Sequence, residues 1–128
     1  MPVGGEWFTP TELEFSSIHV RANTEWVHLL LRDVSGTYGQ GEITSTQLTR
    51  EVSHVVARLA NRLRGQKLTS DSDVIQLNNL SLEQLEDDQV LATAVSGLRC
   101  AVVDALSQRV QLPLVDYLRE LYDHDGKA

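Results

Sequence analysis

Cysteine is nearly missing from this chain: Cys100 stands alone among 128 residues, so no disulfide can form within it, and a reducing compartment suits it. Basic residues are also scarce. Eleven Lys and Arg face eighteen Asp and Glu, a formal net charge of -7. The counterion release that drives binding to a phosphate backbone needs clustered cations, so no nucleic-acid partner is expected. The segment MPVGGEWFTP has neither a basic start nor an apolar stretch, so no signal peptide is read there. No uninterrupted apolar run approaches the roughly 18 residues of a membrane span, so no membrane partner is expected and a cytoplasmic location is the plain reading. With 41% hydrophobic and 23% charged residues, the composition is that of a globular domain able to bury a core.

The order of patterns along the chain gives an α+β fold: a three-stranded antiparallel meander followed by about four helices. Residues 1–11 hold Gly4, Gly5 and Pro10 and read as irregular. Alternation in ELEFSSIHVRA (12–22), EWVHLLLRD (25–33) and TYGQGEIT (37–44) predicts three strands. The second carries Val27, Leu29 and Leu31 on one side with Trp26 and Leu30 on the other, which predicts burial of both faces. DVSG (33–36) is a turn with Gly36 placed for positive φ. Glycines in the third strand imply a bulge or a close approach by another backbone.

The period then becomes helical. Leu48, Val52, Val55, Val56, Leu59, Ala60 and Leu63 form one stripe, with Thr44 or Thr46 as the starting cap and Gly65 as the stop. Ser70 or Ser72 can start a short helix. Ser81 and Gln84 have capping-box spacing for another. From Gln89 to Gln111 the helix is apolar almost all round. Leu91, Val95, Leu98, Val102 and Ala105 make one stripe; Ala92, Ser96, Cys100 and Val103 make a second, and such a helix is buried on more than one side. Pro113 begins a last helix, and residues 123–128 form a polar tail.

Two motifs go beyond pattern: GQGE (Gly39 to Glu42) at the end of the meander, and SGLRCAVVDALSQRVQLPLVDYL (96–118). Together they resemble the N-terminal, capping domain of the mandelate racemase and muconate lactonizing enzyme group of the enolase superfamily. There the third strand ends in G-x-GE, and the long helix reads S-G-I-D-x-A-L-W-D-L before a Pro and a Leu-Leu-Gly-Gly. Ser96, Gly97, Leu98, Ala101, Asp104 and Pro113 match. Arg99 replaces an acid, Val103 a Trp, and Arg119 with Glu120 the Gly-Gly. The turn at Asn23 and the segment after Glu42 are short where the family has substrate-selecting loops.

The resemblance implies a capping domain over residues 12–122, with Gly39, Gly41, Glu42, Ser96, Gly97, Asp104 and Pro113 as structural motif positions. It places the chemistry (racemization, cycloisomerization or dehydration of a carboxylate, an isomerase or lyase reaction with Mg²⁺) in a (β/α)₈ barrel. A barrel needs about 200 residues, and only ten follow Leu118, so the barrel is expected elsewhere. The expected partner is that barrel, or a second copy in a homo-oligomer, met through the apolar 89–111 helix. No catalytic, cofactor or metal residue is assigned to this chain.

A few side chains are candidates for chemistry or for a structural tie. A hairpin turning at Asn23–Thr24 would pair His19 with His28 as two weak candidate metal ligands, and Arg21 with Trp26. Cys100 reads as a buried structural thiol. Asp104, in an apolar helix, has to be paired, as a helix-to-strand or interdomain tie.

Overall fold

The computed structural model describes residues 7–21, 24–46 and 49–109. Its elements run β1 (Glu12–Arg21), β2 (Thr24–Arg32), β3 (Tyr38–Thr46), α1 (Thr49–Leu63), α2 (Asp73–Leu77), α3 (Leu82–Asp87) and α4 (Gln89–Arg109). The strands form one antiparallel sheet in the order β1-β2-β3, and the helices pack against it, so the α+β meander-then-helices architecture holds.

Strand alternation sorts the sheet residues. Val27, Leu29 and Leu31 of β2 lie across from Ile43, Gly41 and Gly39 of β3, and all six are buried beneath the helices. The opposite side is not buried: Trp26 is 52% exposed, Glu42 is exposed, and Leu30 is half-buried. The expectation that β2 is covered on both faces therefore fails, because only one layer of helices meets this sheet. The outer face is instead laced by polar contacts. Arg32 Nε donates to Glu14 Oε2 at 2.9 Å, and its guanidinium lies 5.9 Å from the Tyr38 ring centre.

The β2–β3 turn is held by Asp33. Its Oδ1 accepts from the backbone N–H groups of Ser35 and Thr37 and from the Ser35 hydroxyl, while Gly36 takes φ +92° as the turn demands. Arg109, in the last turn of α4, donates to the Trp7 carbonyl at 3.2 Å and reaches toward Asp33 at 3.9 Å, tying the helix end to this turn. Residue 8 departs from the irregular reading of the first eleven residues: Phe8 is fully buried and exchanges two backbone hydrogen bonds with Leu68.

Helix α1 buries Val52, Val56, Leu59, Ala60 and Leu63 of the stripe read from the sequence, with Val55 half-buried and Leu48 outside the described residues, and ends at Gly65 with φ +77°. Neither Thr44 nor Thr46 caps it, since β3 continues through Thr46. At α2 Ser72 holds the N-cap position but makes no side-chain cap hydrogen bond, while Asp73 Oδ2 accepts from the N–H groups of Thr69 and Ser70 in the turn before the helix. The capping box at α3 is present: Gln84 N–H donates to Ser81 Oγ, and Ser81 N–H to Gln84 Oε1. Asp88 is both the C-cap of α3 and the start of the next helix, its Oδ1 accepting from Leu91 N–H at 3.0 Å. Pro113 and residues 123–128 lie outside the described residues, as does the turn at Asn23.

Candidate functional site

The two motifs meet. In β3 the odd positions point at α4, so Gly39 and Gly41 lie directly under the helix, which presents Gly97, Ala101 and Ala105 at four-residue spacing. A methyl group added at Gly39 would collide with the Ala101 carbonyl oxygen and sit 2.7 Å from Ala105 N. One added at Gly41 would collide with the Gly97 carbonyl oxygen and sit 3.3 Å from Ala101 N. At Gly97 it would sit 2.6 Å from Ile43 Cδ1 and Cγ1. The glycines of GQGE therefore serve as clearance: strand and helix backbones come closer than any side chain permits. Of the two sequence-based alternatives for these glycines, close approach is the one realised.

Asp104 completes the junction. Its Oδ2 accepts the Gln40 backbone N–H at 2.8 Å, and Gln108 Nε2 lies 3.4 Å away. Because β3 is an edge strand, that N–H points away from β2. The carboxylate thus satisfies a donor that the sheet leaves over. The helix-to-strand tie expected of Asp104 is present.

On the outer face, Gln40 Oε1 lies 2.9 Å from His28 Nε2, and Glu42 lies across from His28 in register. His28, Gln40, Glu42, Cys100 and Asp104 border an open hollow of about 450 Å³ around the motif. His19 does not join it. Register pairs His19 with Glu25, His28 with Ser16 and Arg21 with Thr24, so Thr24 belongs to the β2 pairing rather than to the turn expected at Asn23–Thr24, and a bulge between His19 and Arg21 adds one more residue of shift. The proposed histidine pair is therefore absent, and so is the pairing of Arg21 with Trp26, which lies across from Ile18. Among the described residues, no group of three or more His, Cys, Asp or Glu side chains could hold a metal ion.

The other candidate surface is the outer side of α4. Leu85, Ala92, Val95, Ser96, Cys100 and Val103 line a shallow groove of about 370 Å³. One rim is the ion pair of Arg99 Nη2 with Asp71 Oδ2 at 2.7 Å, half exposed on the arginine side. This is the second stripe read from the sequence, and it is not buried as expected: Ser96 and Cys100 are exposed, and Ala92 and Val103 are half-buried. Cys100 is exposed, which corrects the expectation of a buried thiol: it lies between this groove and the hollow beside His28, Gln40 and Glu42. Its neighbour Arg99 is engaged by Asp71 rather than by the thiol. An apolar groove with one satisfied ion pair at its rim can bind another apolar surface.

The small-residue seam of Gly97, Ala101 and Ala105 was not singled out in the sequence, although its signal, small residues at every fourth position, was there. The Asp71 partner of Arg99 lies 28 positions away, beyond any local pattern.

No protein-family model and no curated protein matches the sequence. Solved structures do. A mandelate racemase/muconate lactonizing enzyme from Bordetella bronchiseptica RB50 matches 88% of this chain with a TM-score of 0.72 at 19% identity. A mandelate racemase/muconate lactonizing protein from Herpetosiphon aurantiacus matches 80% with a TM-score of 0.59 at 20% identity. An enolase from Agrobacterium radiobacter, described as a candidate galactarate dehydratase with sodium and L-malate bound, matches 88% with a TM-score of 0.68 at 17% identity. The chain spans 34%, 32% and 28% of their respective lengths. The resemblance read from GQGE and the 96–118 motif thus extends to the fold.

Proposed function

We propose that this chain is the capping part of an enzyme of the mandelate racemase and muconate lactonizing kind, and that it acts only together with a (β/α)₈ barrel. The observation that carries this reading is the pair of coverages: the likeness takes in 80–88% of this chain yet only 28–34% of the solved chains. What matches is one domain of a larger body, and the remaining two thirds has room for a barrel of about 200 residues or more.

In this reading the groove of Ala92, Ser96, Cys100 and Val103 is covered by the barrel. The described residues do not fit a metal, so the Mg²⁺ of such an enzyme and the groups that move protons belong to the barrel. The cap excludes water from the site and orients a carboxylate substrate there, the work of lids generally.

The test uses a (β/α)₈ domain encoded next to or in line with this chain. Exchange of the proton beside the carboxylate is followed in D₂O with Mg²⁺ by NMR. Exchange is expected from the two together and not from this chain alone. Exchange by this chain alone, or by the barrel equally well without it, defeats the proposal.

A second reading, a self-associating or partner-binding module, is favoured by the same groove together with Trp26, 52% exposed on the outer sheet face. Sedimentation at high micromolar concentration decides it, a monomer counting against it.

A further inference from the structure

The cations of this acidic chain are unevenly placed. Residues 50–67 hold five of its eleven Lys and Arg (Arg50, Arg58, Arg62, Arg64 and Lys67) against one acid, Glu51, while the rest of the chain sets six against seventeen. Helix α1 turns Val52, Val56, Leu59 and Leu63 inward, so Arg50, Arg58, Arg62 and Arg64 stand exposed on its other side. Among the described residues none of the five pairs with a carboxylate; the three ion pairs formed use Arg32, Arg99 and Arg109. Arg58 and Arg62 are one turn apart, where like charges weaken a helix. An acidic partner relieves that repulsion.

Beside this row an open pocket of about 360 Å³ lies between α1 and β1. Leu13, Leu31, Ala57 and Ala60 give it an apolar floor. Asn61 and Arg64 form the rim on the α1 side, and Glu12 stands on the β1 side. Helix α3 has the complementary character. It buries none of its residues, exposes Glu83, Glu86 and Asp87, and leaves Leu82 74% exposed. Glu86 is one turn on from Leu82 and Glu83 is next to it, so the leucine is an apolar knob flanked by acids. Because α3 is held against α4, its knob does not line the pocket of its own chain.

We propose that α3 of one copy docks on α1 of a second copy, with Leu82 entering the pocket over Ala57 and Leu13 and with Glu83 and Glu86 facing Arg62 and Arg64. Glu12 repels the acids from the opposite rim and so fixes which way the incoming helix lies. Knob and pocket are different surfaces, so each contact leaves one of each unused and copies add head to tail in an open series. The contact uses neither the groove on α4 nor Trp26, and it does not depend on a barrel.

Sedimentation velocity of the full chain tests it. At high micromolar concentration the unaltered chain is expected to form dimers and larger species. Their association constant is expected to fall roughly ten-fold or more between about 0.1 and 1 M NaCl, as the screening length shrinks from about 10 to 3 Å. One variant, Leu82→Ser with Glu86→Gln, loses the knob; another, Arg62→Glu with Arg64→Glu, loses the rim of the pocket. All four positions are exposed, so the helical circular dichroism should be retained. Each variant alone is expected to stay monomeric, and an equal mixture to form a heterodimer that grows no further, since one variant keeps a pocket and the other a knob. A monomeric unaltered chain at low salt, a mixture that stays monomeric, or association that survives in either variant overturns the proposal. Should a variant lose its helical signal, Leu82→Ala and Arg64→Ala take their places with the same expectations.

Discussion

Replacing Gly39 by alanine tests the central packing claim at its tightest point. The added methyl would meet the Ala101 carbonyl oxygen and lie 2.7 Å from Ala105 N and 2.8 Å from Ala105 Cβ. Two of those three atoms are helix backbone, so no rotamer change relieves the clash; α4 itself has to move off β3. Overpacking costs roughly 1–3 kcal/mol when neighbours can adjust, and a rigid backbone neighbour places this case at the upper end. The smaller entropy loss of alanine in a strand returns about 0.5–1 kcal/mol. The net expectation is a loss of about 2 kcal/mol, equivalent to a midpoint lowered by roughly 5–10 °C in a domain of this size. Urea unfolding followed by circular dichroism measures it, with an unchanged denaturant slope confirming that the native state is the one affected. A Gly39→Ala change within about 0.5 kcal/mol of the original would refute the close-approach account. Gly36 supplies the contrast: nothing lies within 4 Å of its added methyl, but its φ is +92°. Gly36→Asn should therefore be milder than Gly36→Ala, because asparagine tolerates that backbone, whereas Gly39→Asn should be worse than Gly39→Ala.

The other expectations concern single contacts. Asp104→Ala removes the acceptor of the Gln40 N–H and should cost about 1–3 kcal/mol in urea unfolding, with Asp104→Asn milder because its amide oxygen still accepts. Cys100 should titrate fully with a thiol reagent in the native protein, and a need for denaturant would contradict its exposed position. A double-mutant cycle on Arg99 and Asp71 should give a coupling of about 1 kcal/mol or less, since the pair is partly solvated and screened. Ser81→Ala should cost about 1 kcal/mol or less and speed amide exchange in α3 alone, because none of that helix is buried.

Element order was legible because period-2 and period-3.6 patterns survive in a single sequence: the three strands, the α1 stripe and the Ser81–Gln84 box appear as read. The failures share a cause in relations between elements. Whether β2 is covered on one side or two depends on how many helical layers meet the sheet, which Trp26 and Leu30 cannot announce. The bulge between His19 and Arg21 changes which residues face each other, and register is set by the turn rather than by the pairing chemistry. Cys100 and Cys100's apolar neighbours resemble core residues until the covering partner proves to be missing from the described residues. At the junction, GQGE showed that something comes close, but only the structure shows that the visitor is the line Gly97, Ala101, Ala105. Asp104 was readable because a carboxylate on so apolar a helix has few affordable places to be.

The bond from Gln40 to Asp104 joins positions 64 apart in sequence. While the polypeptide is being made, the meander is finished long before the helix that shields its apolar side has left the ribosome. Until then Leu29, Leu31 and Ile43 have no lasting cover, and closing so long a loop must precede the reward of packing. The meander is thus vulnerable during synthesis, and its maturation waits on the arrival of α4.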